Sequence, residues 1–397
     1  MKKYNILKLD EITEISSGKV APQEKKYYEN GIHRFIRVKH FAHLDNGILI
    51  GAKCNFINDQ AVNDKKLRLS KKGTIVFPKS GMAIMKNNIA ILKYDSYIVN
   101  HLASLTIKEK IKVYDKYLLY YLKNFSIPKL AFNVSYPSIR LSDISKISVV
   151  LPSYFEQKRI ADYLHRLDVL KEKRKNNNKK TFKLKLSKFL EFFGHPFKSK
   201  WNYKTIKEVS NIKSGFAKKP NVSNKGIPQL RTYNITASCS LNLDTFKYID
   251  PIDKIENYRI KKGDVLFNNT NSIDLVGKNA VYAEPENYVF SNHITRIRTN
   301  KEVLPEYLWG VLTILYEEEV FKTICHKWVN QAGIDTKSIG NVKIPIPPLK
   351  LQEKYSSFLK SLNVLEKTQK ESFKLITNLC NNKIKEIFSR YLVGISK

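Results

Sequence analysis

Cysteine is scarce in this sequence, and long apolar runs are missing. The four cysteines, Cys54, Cys239, Cys325 and Cys380, are scattered without any CxxC pair, which excludes a zinc ribbon or a disulfide framework and is typical of thiols in a reducing compartment. No apolar run approaches the roughly 18 residues that a membrane span requires. The first residues continue into alternating charge and not into the apolar segment of a secretory signal. We therefore expect a cytoplasmic protein that does not span a membrane.

The sequence also lacks the motifs of common catalytic sites. Residues 277–279 (GKN) have neither the earlier glycine nor the Ser/Thr of a nucleotide-binding P-loop. A glycine-rich cofactor loop, the NPP[FYW] motif of methyltransferases and a PD…(D/E)xK nuclease core are all missing. His40 and His43 lie one turn apart, with His33 upstream, but they have no acidic or cysteine companions for a metal site. We therefore expect a protein that is not an enzyme and that binds no metal or cofactor itself.

Acidic residues are few relative to basic ones. Lys and Arg number 70 against 36 Asp and Glu, which gives a formal net charge of +34, more than solubility requires. Only 12 of the cations are Arg, and Lys, Asn and Ile are abundant, as in proteins from AT-rich genomes. Such drift does not explain the shortage of acids. A nucleic acid is therefore the expected partner, with an anionic membrane surface second.

The chain aligns with itself at a shift of about half its length. Residues 9–18 (LDEITEISSG) align with 206–215 (IKEVSNIKSG), and 69–77 (LSKKGTIVF) with 259–267 (RIKKGDVLF). Further blocks follow in the same order: 35–38 with 229–232, 100–101 with 292–293, 116–118 with 306–308, and 144–157 with 339–352. Such collinear blocks indicate a duplicated unit of about 200 residues with variable loops.

Each repeat has two parts. The first mixes short β-branched and aromatic runs with Gly, Asn and Pro, which predicts a globular domain of strands and helices. The second lacks interior Pro and carries apolar residues three or four apart, which predicts a long helix. To bury their stripes against each other, the two helices must run antiparallel. The expected fold class is α+β with an internal pseudo-twofold repeat: two similar globular domains (1–152 and 196–348) separated by two long antiparallel helices (153–195 and 349–397).

The helical stripes identify the residues that we expect at the contact between the helices. They are Ile160, Leu164 and Leu167 in the first helix and Phe358, Leu362 and Leu365 in the second. The polar middle of the first helix, residues 171–180, leaves room for a frayed or locally non-helical stretch.

Polar loops that follow apolar strands are the candidates for contacts with DNA. Arg, Asn, Gln and Ser make paired hydrogen bonds to base edges, whereas Lys positions phosphates. Arg37 and Arg231 hold the same place in both repeats, with a structural ion pair as the competing interpretation. For the loop residues the alternatives are a solvated hairpin loop or a packed turn. The candidate DNA-binding residues are Arg37, Lys79, Ser80, Tyr136, Arg231, Asn269, Asn271 and Gln331.

Two segments resemble the signature of the specificity subunits of type I restriction-modification systems. They are residues 151–168 (LPSYFEQKRIADYLHRLD) and 344–352 (IPIPPLKLQ), where in that family a strand ends a target recognition domain and a long conserved helix begins. The resemblance covers the whole chain in its order of domain, helix, domain, helix. The second copy departs at residues 353–355 (EKY), in place of the usual basic-Ile pair, and at Asn363, where the first copy has Asp168.

The resemblance implies that each globular domain is a target recognition domain that reads one half of a bipartite double-stranded DNA target. It also implies that the helices, with Gln157 and Gln352 of the signature, set the gap between the half-sites and dock two methyltransferase subunits. Those subunits would use S-adenosylmethionine, restriction subunits would join the complex, and no membrane would take part. The chain itself would catalyse nothing. The main alternative is a non-specific nucleic-acid-binding scaffold or RNA chaperone, and a degenerate fused enzyme is third.

Overall fold

The computed structural model describes residues 5–44, 49–51, 53–133, 135–222, 225–284, 288–329 and 331–392; the side chains of residues 49, 175, 178, 380 and 383–392, Cys380 among them, lie outside this description. The chain divides into two compact units. Unit 1 comprises Met1–Lys175 and Lys370–Lys397, and unit 2 comprises Asn176–Gln369. Each unit therefore contains a globular domain and a part of each of the two long helices.

Unit 1 is built on two mixed sheets and a short two-stranded one. The sheet orders are β2-β10-β7-β8-β4, β5-β3-β9-β6 and β1-β11. The strands are β1 (Asn5–Lys8), β2 (Thr13–Ser17), β3 (His33–Ile36), β4 (Leu49–Ile50), β5 (Asn55–Ile57), β6 (Leu69–Ser70), β7 (Ile75–Pro78), β8 (Ala90–Leu92), β9 (Ser96–Ile98), β10 (Leu102–Ile107) and β11 (Ser148–Leu151). The helices are α1 (Leu9–Ile12), α2 (Asp59–Asp64), α3 (Asp115–Phe125), α4 (Leu141–Ser145) and the first part of α5 (Tyr154–Phe193).

Unit 2 repeats this plan. Its sheet orders are β13-β20-β16-β18, β15-β14-β19, β17-β22-β21 and β12-β23. The strands are β12 (Tyr203–Thr205), β13 (Ser210–Ser214), β14 (Ile227–Leu230), β15 (Lys247–Ile249), β16 (Val265–Asn268), β17 (Thr270–Asn271), β18 (Asn279–Val281), β19 (Val289–Phe290), β20 (Ile294–Thr299), β21 (His326–Trp328), β22 (Gln331–Gly333) and β23 (Lys343–Pro345). The helices are α6 (Pro305–Glu317), α7 (Val320–Ile324), α8 (Thr336–Gly340) and the first part of α9 (Leu349–Leu392).

Strand pairing confirms the internal repeat. In unit 1 the buried strand β10 lies between β2 and β7, and in unit 2 β20 lies between β13 and β16, all antiparallel. The register is the same in both units, because Leu105 faces Ile75 where Ile297 faces Val265. A parallel pair, β3 with β9 in unit 1 and β14 with β19 in unit 2, is also repeated. The α+β fold class predicted from the sequence is therefore correct.

Two repeated glycines account for two of the repeated sequence blocks. Gly73 and Gly263 of the Lys-Lys-Gly turns have φ of +88° and +92°, a conformation that residues with a side chain rarely adopt. Gly18 and Gly215 precede a parallel bridge, and a Cβ atom at either would collide with the backbone of the facing strand, at Ile98 or Ser291. These positions require glycine for backbone reasons in both units.

Two long helices follow the globular domains, as the sequence predicts. Helix α5 is continuous from Tyr154 to Phe193, so its polar middle, residues 171–180, is helical and the frayed stretch considered above is not found. No proline or glycine interrupts α5 or α9, and the long polar side chains in that middle stretch lose little rotamer freedom in a helix. None of the described helices is long and apolar enough to cross a membrane.

Within unit 2 the two helices pack antiparallel. Lys185 of α5 bonds Glu366 of α9 (2.6 Å), whereas Phe189, one turn further along α5, contacts the ring of Tyr355 (centroids 5.5 Å apart). Rising residue numbers on α5 thus meet falling numbers on α9. The buried Phe189 also rests on Gly310 of α6, where any side chain would collide with it. This aromatic contact anchors the helices to the core of unit 2.

Candidate nucleic-acid interface

The small sheet β17-β22-β21 brings together the residues that the sequence nominated in unit 2. Asn271 pairs with Ala332, and Trp328 pairs with Gln331 across the β21–β22 hairpin. Asn269 directly precedes β17. Segments about 60 residues apart in the chain therefore form one surface.

The two faces of this sheet differ in their surroundings. Side chains alternate between faces along a strand, and directly opposite residues share a face. Ala332 is buried in the core, so Asn271 opposite it lies on the inner face and is half-buried. Trp328 and Gln331 lie on the outer face, and both are exposed. The outer face is therefore the one that can meet a ligand.

Unit 1 forms the same three-segment backbone arrangement, called the frame below, but holds it together by single β-bridges. Ser138 is bridged on one side to Ser80 and on the other to Phe132, just as Gly333 of β22 lies between β17 and β21. The predicted residue Ser80 therefore occupies the position of Thr270. Its Oγ lies 2.6 Å from Nδ1 of the exposed His101.

Tyr136 occupies in unit 1 the position of Gln331 in unit 2, two residues before the central bridging residue. Tyr136 is exposed, and its backbone N–H donates to Oδ1 of Asn133 (3.3 Å). Asn133 has a left-handed φ of 63°, which asparagine tolerates better than most residues. One backbone position thus presents a phenol in unit 1 and a primary amide in unit 2.

Lys79 and Asn269 are also equivalent. The backbone N–H of Lys79 donates to the carbonyl of His101 (2.9 Å), and that of Asn269 donates to the carbonyl of His293 (3.1 Å). Their side chains differ: the ammonium group of Lys79 has no partner among the described residues, whereas the amide of the buried Asn269 donates to Oγ1 of Thr295 (2.9 Å). Asn269 therefore holds the loop in place, and Lys79 is free to contact a phosphate.

Arg37 and Arg231 have the same local structure in both units. Each caps a 3-10 turn, and its backbone N–H donates to the side chain three residues later, His40 Nδ1 or Asn234 Oδ1, at 2.9 Å in both cases. His40 is buried, and its burial, followed by the charges of Lys39 and Arg37, lowers its pKa. The imidazole therefore stays neutral and keeps the lone pair that accepts this bond.

The two guanidinium groups reach back to preceding loops. Arg37 donates to the carbonyl of Pro22 (3.5 Å) and Arg231 to that of Lys218 (2.9 Å). The Nε of each has no hydrogen-bond partner. Among the described residues neither arginine pairs with a carboxylate, so the structural ion pair considered above is not found. Both positive charges thus lie next to a loop, without a carboxylate partner in the described part of the chain.

Lys278, which the sequence placed in an incomplete P-loop pattern, supports the turn that follows Arg231. Its Nζ donates to the carbonyls of Ile235 (2.5 Å) and Thr232 (3.3 Å). Its side chain is buried, and burial lowers its pKa. Lys278 therefore has a structural position beneath this arginine turn.

The signature glutamine of the first helix clamps α5 to its own domain. The Nε2 of Gln157 donates to the carbonyls of Lys112 (2.9 Å) and Pro152 (3.0 Å), and its Oε1 accepts from the N–H of Tyr114 (2.9 Å). The side chain is buried. Its hydrogen-bonding groups are thus used within unit 1.

The signature glutamine of the second helix repeats this arrangement. The Nε2 of Gln352 donates to the carbonyls of Glu302 (3.0 Å) and Pro347 (2.9 Å), and its Oε1 accepts from the N–H of Leu304 (2.8 Å). Both glutamines therefore fix the start of a helix rather than present an amide to a partner.

The apolar stripe residues face the cores to different extents. Ile160 and Leu164 are buried in the core of unit 1, and Leu167 packs against it. In the second helix Phe358 and Leu362 are half-buried, whereas Leu365, further along α9, is exposed. The N-terminal part of each stripe thus packs against its own domain.

His101, His293 and Trp328 belong to this surface but were not among the residues selected from the sequence. The two histidines were visible as a repeated Asn-His pair at 100–101 and 292–293. Trp328 gave no such signal, because its place on the outer face follows from the hairpin register. Among the described residues no group of His, Cys, Asp and Glu could hold a metal ion.

The model of the family described as "Type I restriction modification DNA specificity domain" matches residues 1–180 and 198–375. The chain belongs to this family. The two matched segments correspond to the two repeats, so the resemblance found in the sequence is confirmed.

Two solved structures share the fold over nearly the whole chain. One is the S subunit of a type I restriction-modification system from M. genitalium, with a TM-score of 0.54 and 15% identity over 96% of this chain and 95% of that one.

The second structure concerns complex assembly and conformational transition of the type I restriction-modification system, with a TM-score of 0.53 and 17% identity over 98% of both chains. Curated relatives include the MjaIX specificity subunit of Methanocaldococcus jannaschii, 31% identical over 46% of this chain and 41% of that protein. The putative MjaX specificity subunit of the same organism is 28% identical over 48% and 46%. The EcoKI specificity subunit of Escherichia coli K12 is 22% identical over 49% and 43%. The matched segments thus span less than half of each curated relative.

Proposed function

We propose that this chain is the DNA-recognition subunit of a type I restriction-modification enzyme, and that each unit reads one half of a bipartite double-stranded DNA target. The observation that carries the proposal is the repeated frame with different side chains. Unit 1 presents Tyr136 where unit 2 presents Gln331, and Lys79 of unit 1 has a free ammonium group where the buried Asn269 of unit 2 only holds the loop. Different groups on one frame are suited to reading two different half-sites.

Electrostatics supports a DNA partner. The net charge of +34 favours a polyanion. Arg37 and Arg231 lie at equivalent places, and within the described residues neither has a carboxylate partner and the Nε of each is unpartnered. Contacts to phosphates from such places would position each unit without reading sequence.

The proposal includes protein partners and assigns the chemistry to them. Two methyltransferase subunits that use S-adenosylmethionine, together with restriction subunits, would assemble on this chain, which would itself bind no cofactor and catalyse nothing. The long helices support docking because they keep large apolar side chains exposed. Phe155 on α5 is 77% exposed, and Leu365 on α9 is 49% exposed. Apolar groups exposed in this way favour a protein interface.

The test is selection from a library of random-sequence duplexes by the chain co-purified with its methyltransferase subunits. The expected result is enrichment of one motif with two specified parts and an unspecified gap. A second measurement compares affinity for that motif with affinity for scrambled DNA at moderate salt. Equal affinities would favour the non-specific scaffold, because counterion release acts on any sequence.

A further inference from the structure

The β21–β22 hairpin of unit 2 presents a fixed aromatic ring to solvent. Trp328 is 60% exposed. Its indole nevertheless lies against the backbone of Gly333, where a Cβ atom would be 2.8 Å from ring atom Cζ3. Glycine at this position therefore leaves room for the ring, most of which stays exposed.

Gln331 stands directly opposite Trp328, on the same outer face. Its side chain is exposed, and none of its polar atoms has a hydrogen-bond partner among the described residues. Lys327 directly precedes Trp328 on β21 but belongs to the inner face, since it pairs with the buried Ala332. Trp328 and Gln331 thus place one aromatic ring and one free amide side by side on the outer face, which His326 shares.

This pairing of groups matches the edge of one type of base pair. The major groove of B-DNA admits a two-stranded β-ribbon, glutamine bonds adenine through N6 and N7, and the C5-methyl of thymine is the apolar group on that edge. In a duplex, stacking covers the faces of the bases. An aromatic ring in the major groove therefore contacts thymine methyl groups rather than base faces. We propose that the hairpin reads adenine and thymine in the unit 2 half-site, with Gln331 bonding an adenine and Trp328 packing on a thymine methyl.

The inference rests on the proposed function and is specific to unit 2. At the position of Gln331 unit 1 carries Tyr136, and its central bridging residue is Ser138 rather than glycine. Unit 1 therefore lacks both the amide and the glycine that seats the ring, and its half-site should not depend on this pair of contacts.

The experiment uses the complex of the full chain with its methyltransferase subunits and the duplex found by library selection. Each thymine of both half-sites is replaced in turn by uracil, which removes only the methyl group, and each adenine by 7-deazaadenine, which removes N7. For the wild type we expect a three- to tenfold loss of affinity at one thymine and at one adenine of the half-site read by unit 2.

The variants W328A and Q331A should then separate the two contacts. W328A should bind the parent duplex about tenfold more weakly and show no further loss with uracil at the critical thymine. Q331A should become insensitive to 7-deazaadenine at the critical adenine. G333A, which displaces the ring, should behave like W328A. The matched control K327A should retain both sensitivities and weaken binding equally for all duplexes if it acts at all.

Three results would overturn the inference. The first is a W328A complex that remains as sensitive to uracil as the wild type at the same position. The second is unchanged DNA affinity with weaker retention of methyltransferase subunits, which would make the hairpin a protein-docking element. The third is loss of sensitivity at both half-sites at once in variants whose thermal unfolding matches the wild type, because contacts confined to unit 2 cannot affect the half-site read by unit 1. Failure of the library to yield any motif would instead reject the proposed function.

Discussion

At the scale of single residues, the two units form an interaction at equivalent positions but use different side chains for it. Thr74 bonds Thr106 through their hydroxyls in unit 1 (3.1 Å). At the equivalent places in unit 2, the buried Asp264 receives two hydrogen bonds from Arg298, at 2.6 and 2.8 Å. The pairs were not recognised from the sequence, because each partner lies on a different strand and the register alone brings them together.

This exchange predicts non-additive effects of mutation. R298T alone should destabilise unit 2 by about 2 kcal/mol, because it leaves a buried carboxylate without its partner. The double variant D264T/R298T, which copies the unit 1 pair, should recover at least half of that loss. A double-mutant cycle by urea unfolding measures the coupling. Additive losses would show that the two pairs are not interchangeable.

A second exchange concerns the turn after Arg37, where His40 stands in unit 1 and Asn234 in unit 2. Burial lowers the pKa of His40 in the folded state, so on acidification the unfolded state takes up the proton first. The stability from this group is therefore complete above the unfolded pKa of about 6.5 and decreases as pH falls below it.

The prediction is a loss of unit 1 stability between about pH 7 and pH 5 that H40N reduces, since asparagine accepts the same bond without titrating. Unfolding free energy against pH for the wild type and H40N measures it. The variant N234H should transfer a similar acid sensitivity to unit 2. Identical pH profiles for the wild type and H40N would contradict the assignment.

The signature glutamines provide a third prediction. Q352A would leave two carbonyls and one N–H unpaired at a buried site and should cost about 3 kcal/mol. The adjacent exposed E353A is the matched control and should stay within about 0.5 kcal/mol. Amide hydrogen exchange at Leu304, whose N–H bonds Gln352, should rise sharply in Q352A alone. Protection equal to the wild type would exclude the clamp.

At the scale of elements, the long helices were predictable and the short strands were only partly so. The absence of Pro and Gly and the apolar stripe define α5 and α9 to within a few residues.

The departure from the family signature at Asn363 has a local cause. Its first-copy counterpart Asp168 bonds Tyr120 and Lys123 of α3. Tyr117 and Tyr307 occupy equivalent positions in the two units. Gly310 and Thr313 of unit 2 therefore take the places of Tyr120 and Lys123, and neither can make these bonds.

Asn363 instead accepts a hydrogen bond from Lys185 (2.8 Å), which also pairs with Glu366 (2.6 Å) between the two helices. Because Lys185 is buried, E366A should cost about 3 kcal/mol by leaving its ammonium group without a counter-charge and with only the neutral amide of Asn363 as a partner. K185M should cost less than about 1 kcal/mol, since it keeps the packing and leaves Glu366 partly solvated. Thermal unfolding of the two variants measures the difference. A larger loss of stability for K185M than for E366A would contradict this prediction.

At the scale of the whole molecule, the duplication and the family were recognisable from the sequence, but the chemistry of the recognition surface was not. Asn269 looked like a base-reading residue and proves to be buried against Thr295. Trp328 was not among the residues selected from the sequence and lies exposed on the outer face. Whether a loop residue faces inward depends on strand pairing, which a polar loop sequence does not determine.

The proposal that each unit specifies one half of a bipartite target can be tested by sequencing methylated adenines in cells that express the cognate methyltransferase with the wild type or with Q331A. We expect a methylated motif with two specified parts, absent without this chain, and a Q331A motif relaxed in one half only. Methylation unchanged on removal of the chain, or relaxed in both halves by Q331A, would contradict it.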